Sequence, residues 1–169
     1  MKRHLAALCT ALSLALCAST AFGQAALTPV VKKSPVDNPQ HVLFVGSSIM
    51  YWLPPHGQPD GSSTPGELAR RLEEMTLSVG NEVGAFIIPV GLAFQEAYRQ
   101  RPGIKLQMGY DDYHPTFAGQ YLASSVVYAS LYDRSPVGNP YDYFGALDKD
   151  TREFVQKVAH DTVRKFYGR

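Results

Sequence analysis

Beyond residue 23 the chain has no cysteine, because both of its cysteines, Cys9 and Cys17, fall in the opening stretch. That absence excludes disulfides, cysteine zinc sites and thiol nucleophiles from the rest of the protein. Basic charge is not in excess either. The sequence carries 16 Lys and Arg against 15 Asp and Glu, and without Lys2 and Arg3 the basic count falls to 14. No basic run or face stands out, so nucleic acid is not an expected partner. Apolar runs long enough to cross a bilayer as a permanent anchor are also missing. There is no internal repeat, and the turn at Gly46-Ser47-Ser48-Ile49-Met50 lacks the glycine density that cradles a phosphate.

The beginning of the chain has the composition of an export signal. Lys2, Arg3 and His4 make a basic start, residues 5–16 are apolar, and Ala21-Phe22-Gly23 offers small residues at the two positions a signal peptidase recognises. Cleavage before Gln24 is expected, with a periplasmic or secreted product that no longer contacts the membrane. Lipid attachment at Cys17 is disfavoured by the bulk of Leu16. Residues 1–23 are thus assigned as signal peptide. Residues 24–39, with Pro29, Pro35 and Pro39, are an extended leader. Residues 40–169 form one domain, large enough with the leader to bury roughly two thirds of its unfolded surface.

Within that domain the pattern predicts alternating strands and helices. Residues 41–45 are a short β-branched and aromatic run ending at Gly46, and residues 83–90 are a continuous apolar run of the kind found in a parallel sheet covered on both faces. A brief strand is also expected over residues 104–108. Residues 53–63 carry too much proline and glycine for regular structure and make a loop. Thr64-Pro65-Gly66-Glu67 is a capping box that opens a helix with Leu68, Leu72, Met75 and Val79 on one face and Gly80 as its stop. Further helices are expected over residues 92–101 and 116–132, the second with Phe117, Leu122, Val126 and Ala129 towards the core. A last helix is capped by Asp148, striped by Phe154, Val155, Val158, Val163 and Phe166, and ended by Gly168. This alternation predicts an α/β layer fold with right-handed crossovers.

Two short segments carry chemistry. The apolar run over residues 42–45 breaks at Gly46 and then presents Ser47 and Ser48, just past the carboxyl end of a buried strand, where open α/β sheets place ligands. Ser48 takes the exposed position of the Gly-x-Ser spacing, with Ser47 as the competing hydroxyl and an ordinary turn as the plain alternative. Amides of that turn can face a developing oxyanion. The second segment is Asp111-Asp112-Tyr113-His114-Pro115. Asp111, three residues before His114, can hold the imidazole through Nδ1 and leave Nε2 as a base, Asp112 being the competing carboxylate. The plain alternative is a polar turn that caps a helix at Thr116. His41, His56 and His160 are expected to be surface or packing residues. Serine, histidine and aspartate are the three parts that serine acyl transfer requires.

These residues resemble the SGNH (GDSL-like) hydrolase superfamily. Gly46-Ser47-Ser48 resembles the family's first block, with the nucleophile at its third position. Asp111-x-x-His114-Pro115, followed by Gly119 and Leu122, resembles its last block. The stretch over residues 86–136 resembles an exported bacterial branch. The similarity covers residues 42–50 and 65–167. It implies a flavodoxin-like three-layer α/β/α sandwich around a parallel sheet, with Ser48, His114 and Asp111 as catalytic triad and the Ser48 amide as an oxyanion donor. It further implies no metal or cofactor, and a small-molecule or carbohydrate ester or acetyl group as substrate. The chain departs from the family over residues 49–110, which contain no Gly-x-Asn-Asp and therefore lack the central blocks that complete the oxyanion hole. The sheet is accordingly expected to be reduced in strand number. The alternative function is an impaired, shortened relative that acts as a binding module or is a remnant, with homodimerisation covering exposed helix faces.

Overall fold

The computed structural model describes residues 27–39, 65–110 and 114–169. Four helices carry this part of the chain: α1 (Pro65–Glu82), α2 (Val90–Gln100), α3 (Phe117–Tyr132) and α4 (Lys149–Tyr167). Their ends follow from local chemistry. Proline is the first residue of α1, where its missing N–H would have had no intrahelical partner. The Thr116 hydroxyl caps α3 by accepting from the Gly119 amide at 3.2 Å, and the Asp148 carboxylate caps α4 by accepting from Thr151 at 2.9 Å. Gly168 ends α4 with φ of 71°, while the amides of Gly168 and Arg169 bond back to the carbonyls of Lys165 and Arg164. That pair of bonds around a left-handed glycine is a Schellman closure.

The core lies between α2, α3 and α4. Buried residues occupy most of the circumference of α3, including Ala118, Tyr121, Leu122, Ala123, Val126 and Ala129, so this helix is the centre of the packing. Along one face α4 supplies Val155, Val158, Ala159, Val163 and Tyr167, and α2 supplies Ala93, Phe94 and Ala97. Arg101 reaches Asp150 at 2.8 Å, joining the end of α2 to the start of α4. Arg169 reaches Asp133 at 3.2 Å, joining the ends of α4 and α3. Helices α3 and α4 therefore run in the same direction, and α2 runs against them.

The expected parallel-sheet sandwich is not what the described residues form. Among them there is no sheet, and the only strand pairing is an isolated antiparallel bridge between Gln107 and Pro115. Residues 83–90 show why the expectation fails. Helix α1 does not stop at Gly80 but runs to Glu82, and the glycine that closes it is Gly84, with φ of 65°. The amides of Gly84 and Ala85 bond to the carbonyls of Asn81 and Gly80, a second Schellman closure. Residues 85–89 then thread between helices. Phe86 stacks on Tyr167 at 5.3 Å, Ile87 fills the space where Gly80 lacks a side chain, and the Tyr167 hydroxyl donates to the Ile87 carbonyl at 2.7 Å. From Ala85 to Pro89 the run is apolar because helices flank it, whereas Val83 before it is exposed. Periodicity alone cannot distinguish that cause from a buried strand.

Two smaller expectations are also corrected. Met75 and Val79 are exposed by 57% and 54%, whereas the buried side of α1 carries Leu77 and Gly80. Phe117 begins α3 but lies half-exposed instead of in the core. The strand expected over residues 41–45 and the loop over 53–63 fall outside the described residues.

Candidate functional site

Of the three candidate catalytic residues, His114 alone lies among the described residues. Ser48, with the amide expected to serve the oxyanion, and Asp111 fall outside them, as do the competitors Ser47 and Asp112. His114 is exposed, and its backbone carbonyl takes part in a hydrogen-bonded corner. Its carbonyl accepts from the Met108 amide at 2.7 Å, and the Thr116 amide donates to the Leu106 carbonyl at 2.9 Å, one bond on each side of the Gln107–Pro115 bridge. The Thr116 hydroxyl donates to the Lys105 carbonyl at 2.8 Å while accepting from Gly119. Leu106, fully buried, lies under the start of α3. Gly119 permits this close approach, since a Cβ there would collide with the Leu106 carbonyl. A two-stranded corner two residues wide thus fixes the backbone that carries the imidazole.

Beside the corner lies an open cleft of about 430 Å³, lined by Arg101, Lys105, Thr116, Phe117, Leu147 and Asp148 among others. It sits where α3 and α4 begin. Most of its charge is already engaged. The Arg101 guanidinium is bonded to Asp150 and lies 4.0 Å over the Phe154 ring. The backbone amide of Thr151 holds the Asp148 carboxyl below its ordinary range. The cleft is polar at its rim, where Arg101 and Lys105 supply its two lining cations.

Around the same end lies a feature that the sequence reasoning missed. Phe117, Tyr143, Tyr141 and Phe144 form a chain of rings whose successive centroids are 5.0, 5.9 and 5.8 Å apart. Its local signal was visible as Tyr141-Asp142-Tyr143-Phe144-Gly145, an aromatic-dense turn between two helices. His160, expected to be a surface or packing residue, lies half-buried on α4. Among the described residues no group of three His, Cys, Asp or Glu side chains is arranged to hold a metal ion, and no helix is long and apolar enough to cross a membrane. No family model matches the chain, and neither does any curated protein or solved structure.

Proposed function

We propose that the protein is an exported serine hydrolase of SGNH type that cleaves an ester or acetyl group. Ser48 Oγ forms the bond to the acyl carbon while His114 takes its proton. The alcohol leaves with that proton, and water then releases the acid from the acyl-enzyme by the reverse proton path. Asp111 orients the imidazole. The observation that carries the proposal is the His114 corner. A general base must be open to substrate and held in place, and the imidazole is exposed on backbone pinned through Met108, Leu106 and Thr116. The Asp-x-x-His-Pro segment leads directly into a capped helix, as the resemblance requires. A fluorophosphonate should label Ser48 in the folded protein, and Ser48→Ala should abolish both labelling and turnover of p-nitrophenyl acetate. Folded protein that remains unlabelled overturns the proposal.

One observation favours a second function, a non-catalytic binding module. The described residues form a helical body without a sheet, and residues 49–110 lack the Gly-x-Asn-Asp block that would complete an oxyanion hole. Removing one oxyanion donor typically lowers the rate about 100- to 1000-fold, so losing more leaves little activity. A binding module would give p-nitrophenyl acetate turnover no higher than its own Ser48→Ala variant.

A further inference from the structure

Two apolar surfaces stand open among the described residues, and they differ in kind. In the turn before α4 the rings of Phe117, Tyr143, Tyr141 and Phe144 pack on one another, and the Tyr143 hydroxyl ties the array to Gln120 Oε1 on α3 at 2.8 Å. The backbone there is strained, with Tyr143 and Phe144 at φ of 61° and 60°. It is held by the Gly145 amide donating to Asp142 Oδ1 and the Leu147 amide donating to the Asp142 carbonyl, each at 2.9 Å. The other surface is aliphatic and lies on α1. Met75, Val79 and Val83 are 57%, 54% and 69% accessible, and Leu72 just before them is half-buried. The four follow at intervals of three and four residues. The Val83 amide still bonds to the Val79 carbonyl at 3.1 Å, so helical register carries through the last of them. They form one stripe, roughly 120° round the helix from Leu77 and Gly80, which face the body.

A helix face turned permanently to water usually carries charge, and this one does not. Arg70, Glu73 and Glu74 lie on other sides of α1. Thr76 borders the stripe along one edge. Along the other edge come Arg71, Ser78 and Glu82, all exposed, so opposite charges stand at opposite ends of a single border. Arg71 and Glu82 are eleven residues apart, about 16 Å along the helix, too far to pair within one copy.

We propose that this stripe is a homodimer interface in which α1 packs antiparallel against α1 of a second copy. The charge pattern selects that occupant. A two-fold antiparallel pair lays the same border of both helices together with its direction reversed, so each Arg71 meets Glu82 of the other copy. Parallel packing would turn that border towards the Thr76 edge and leave both charges unmatched. Pairing Arg71 with Glu82 centres the contact at the level of Thr76 and Leu77. In that register Met75 faces Val79 of the other copy, and Leu72 falls between Val79 and Val83. One shift therefore matches apolar to apolar and positive to negative, which is the self-complementarity an isologous contact requires. Charge is absent from the middle and present at the rim, as in other interfaces. The stripe is small. Its area falls below the ~1,200 Å² of the smaller stable interfaces, so dimer and monomer should exchange at micromolar concentrations.

Sedimentation equilibrium of the full chain across the micromolar range should show a monomer–dimer equilibrium, and the melting temperature should rise with concentration. Val79→Ser should weaken association by about tenfold or more, while the dilute protein melts as the parent does because the residue is already more than half exposed. Arg71→Glu and Glu82→Arg should each weaken it by about fivefold at low salt. The double variant re-forms both pairs with the signs exchanged and should restore the parental affinity. Rescue of that kind separates a contact between copies from an effect within one helix. A chain that sediments as a monomer throughout overturns the proposal and leaves the stripe to another segment of this chain or to another protein. A dimer indifferent to Val79→Ser overturns it equally, and a double variant no tighter than either single one overturns the antiparallel register.

Discussion

The two ends of the α3–α4 pair are built on opposite plans. Where the helices stop, the structure is tied down. Arg169 pairs with Asp133 and lies 4.7 Å over the Tyr167 ring, and Tyr167 in turn stacks on Phe86 and bonds to Ile87. The leader is bound at the same end. Asn81 accepts from the Val30 amide at 2.8 Å and donates to the Thr28 carbonyl at 2.9 Å, while the Tyr132 hydroxyl donates to the Pro39 carbonyl at 2.8 Å. Where the helices begin, the open cleft, the exposed His114 corner and the strained aromatic turn are found together. Apolar rings that burial would stabilise stand exposed at this end, while the other is held by ion pairs, stacked rings and hydrogen bonds. Departures from local rules concentrate where a protein meets its ligand.

The sharpest way to break this contrast is at Gly119, where the open end rests on the core. A Cβ there meets the backbone carbonyl of Leu106, which cannot swing aside as a side chain would. Gly119→Ala should therefore cost about 3 kcal/mol, as overpacking of a closed contact does. Thermal melting would register it, and the amides of Met108 and Thr116 should lose hydrogen-exchange protection. An unchanged melting temperature would mean that the corner does not depend on this contact.

The tied end should respond more mildly. Asn81→Ala removes two side-chain hydrogen bonds to the leader in an exposed setting, which is worth roughly 1–2 kcal/mol. Loss of protection at Val30, with none at the His114 corner, would show that the ends are independent. Coupled loss at both ends would show that the contrast is one of shape only.

Legibility followed the range of the forces involved. The Thr116 and Asp148 caps, the Gly168 stop and the proline start of α1 were readable because each involves neighbours within a turn. The expected sheet was not, because the apolar run over residues 83–90 looks the same whether strands or helices flank it. Gly80 was misread for a similar reason. A glycine near a helix end suggests a stop, but this one admits Ile87 from elsewhere in the chain. The stripe through Met75 and Val79 kept the right period and pointed the wrong way, since tertiary contacts choose which face is buried. At the candidate site, His114 was legible as part of a local corner. The ring array was not, because Phe117 and Tyr143 meet only after α3 and α4 have packed.

Relieving the open end should raise stability slightly. At φ of 60° a glycine carries none of the steric cost that phenylalanine does, although it frees the unfolded chain. With almost no burial lost at residue 144, Phe144→Gly should gain about 0.5 kcal/mol, seen as a higher urea midpoint with unchanged slope. A loss would show that the ring contributes through its edge contact with Tyr141.

The smallest expected effect is electrostatic, and its sign differs between parts of the molecule. Hydrogen bonds from Arg99 and then Gln100 lower the Glu96 carboxyl to about 2, in the last turns of α2 leading to the open end. The Thr151 amide lowers Asp148, at the start of α4. A carboxyl lowered in the folded state contributes stability that is complete above its unfolded value, 4.5 for Glu96, and is lost as pH falls towards the folded one. Glu73 on α1 behaves oppositely. Burial, and then Glu74, raise it, so its ionised form is disfavoured in the fold and acid relieves that penalty. Lowering the pH from 5 to 3 should therefore loosen amides over residues 97–101 and 148–152 before those near residue 168. Glu96→Gln should flatten the acid response, and added salt should weaken it further because Arg99 is largely exposed. Acid loosening that began instead at the Gly168 closure would reverse the assignment of the open end as the more labile one.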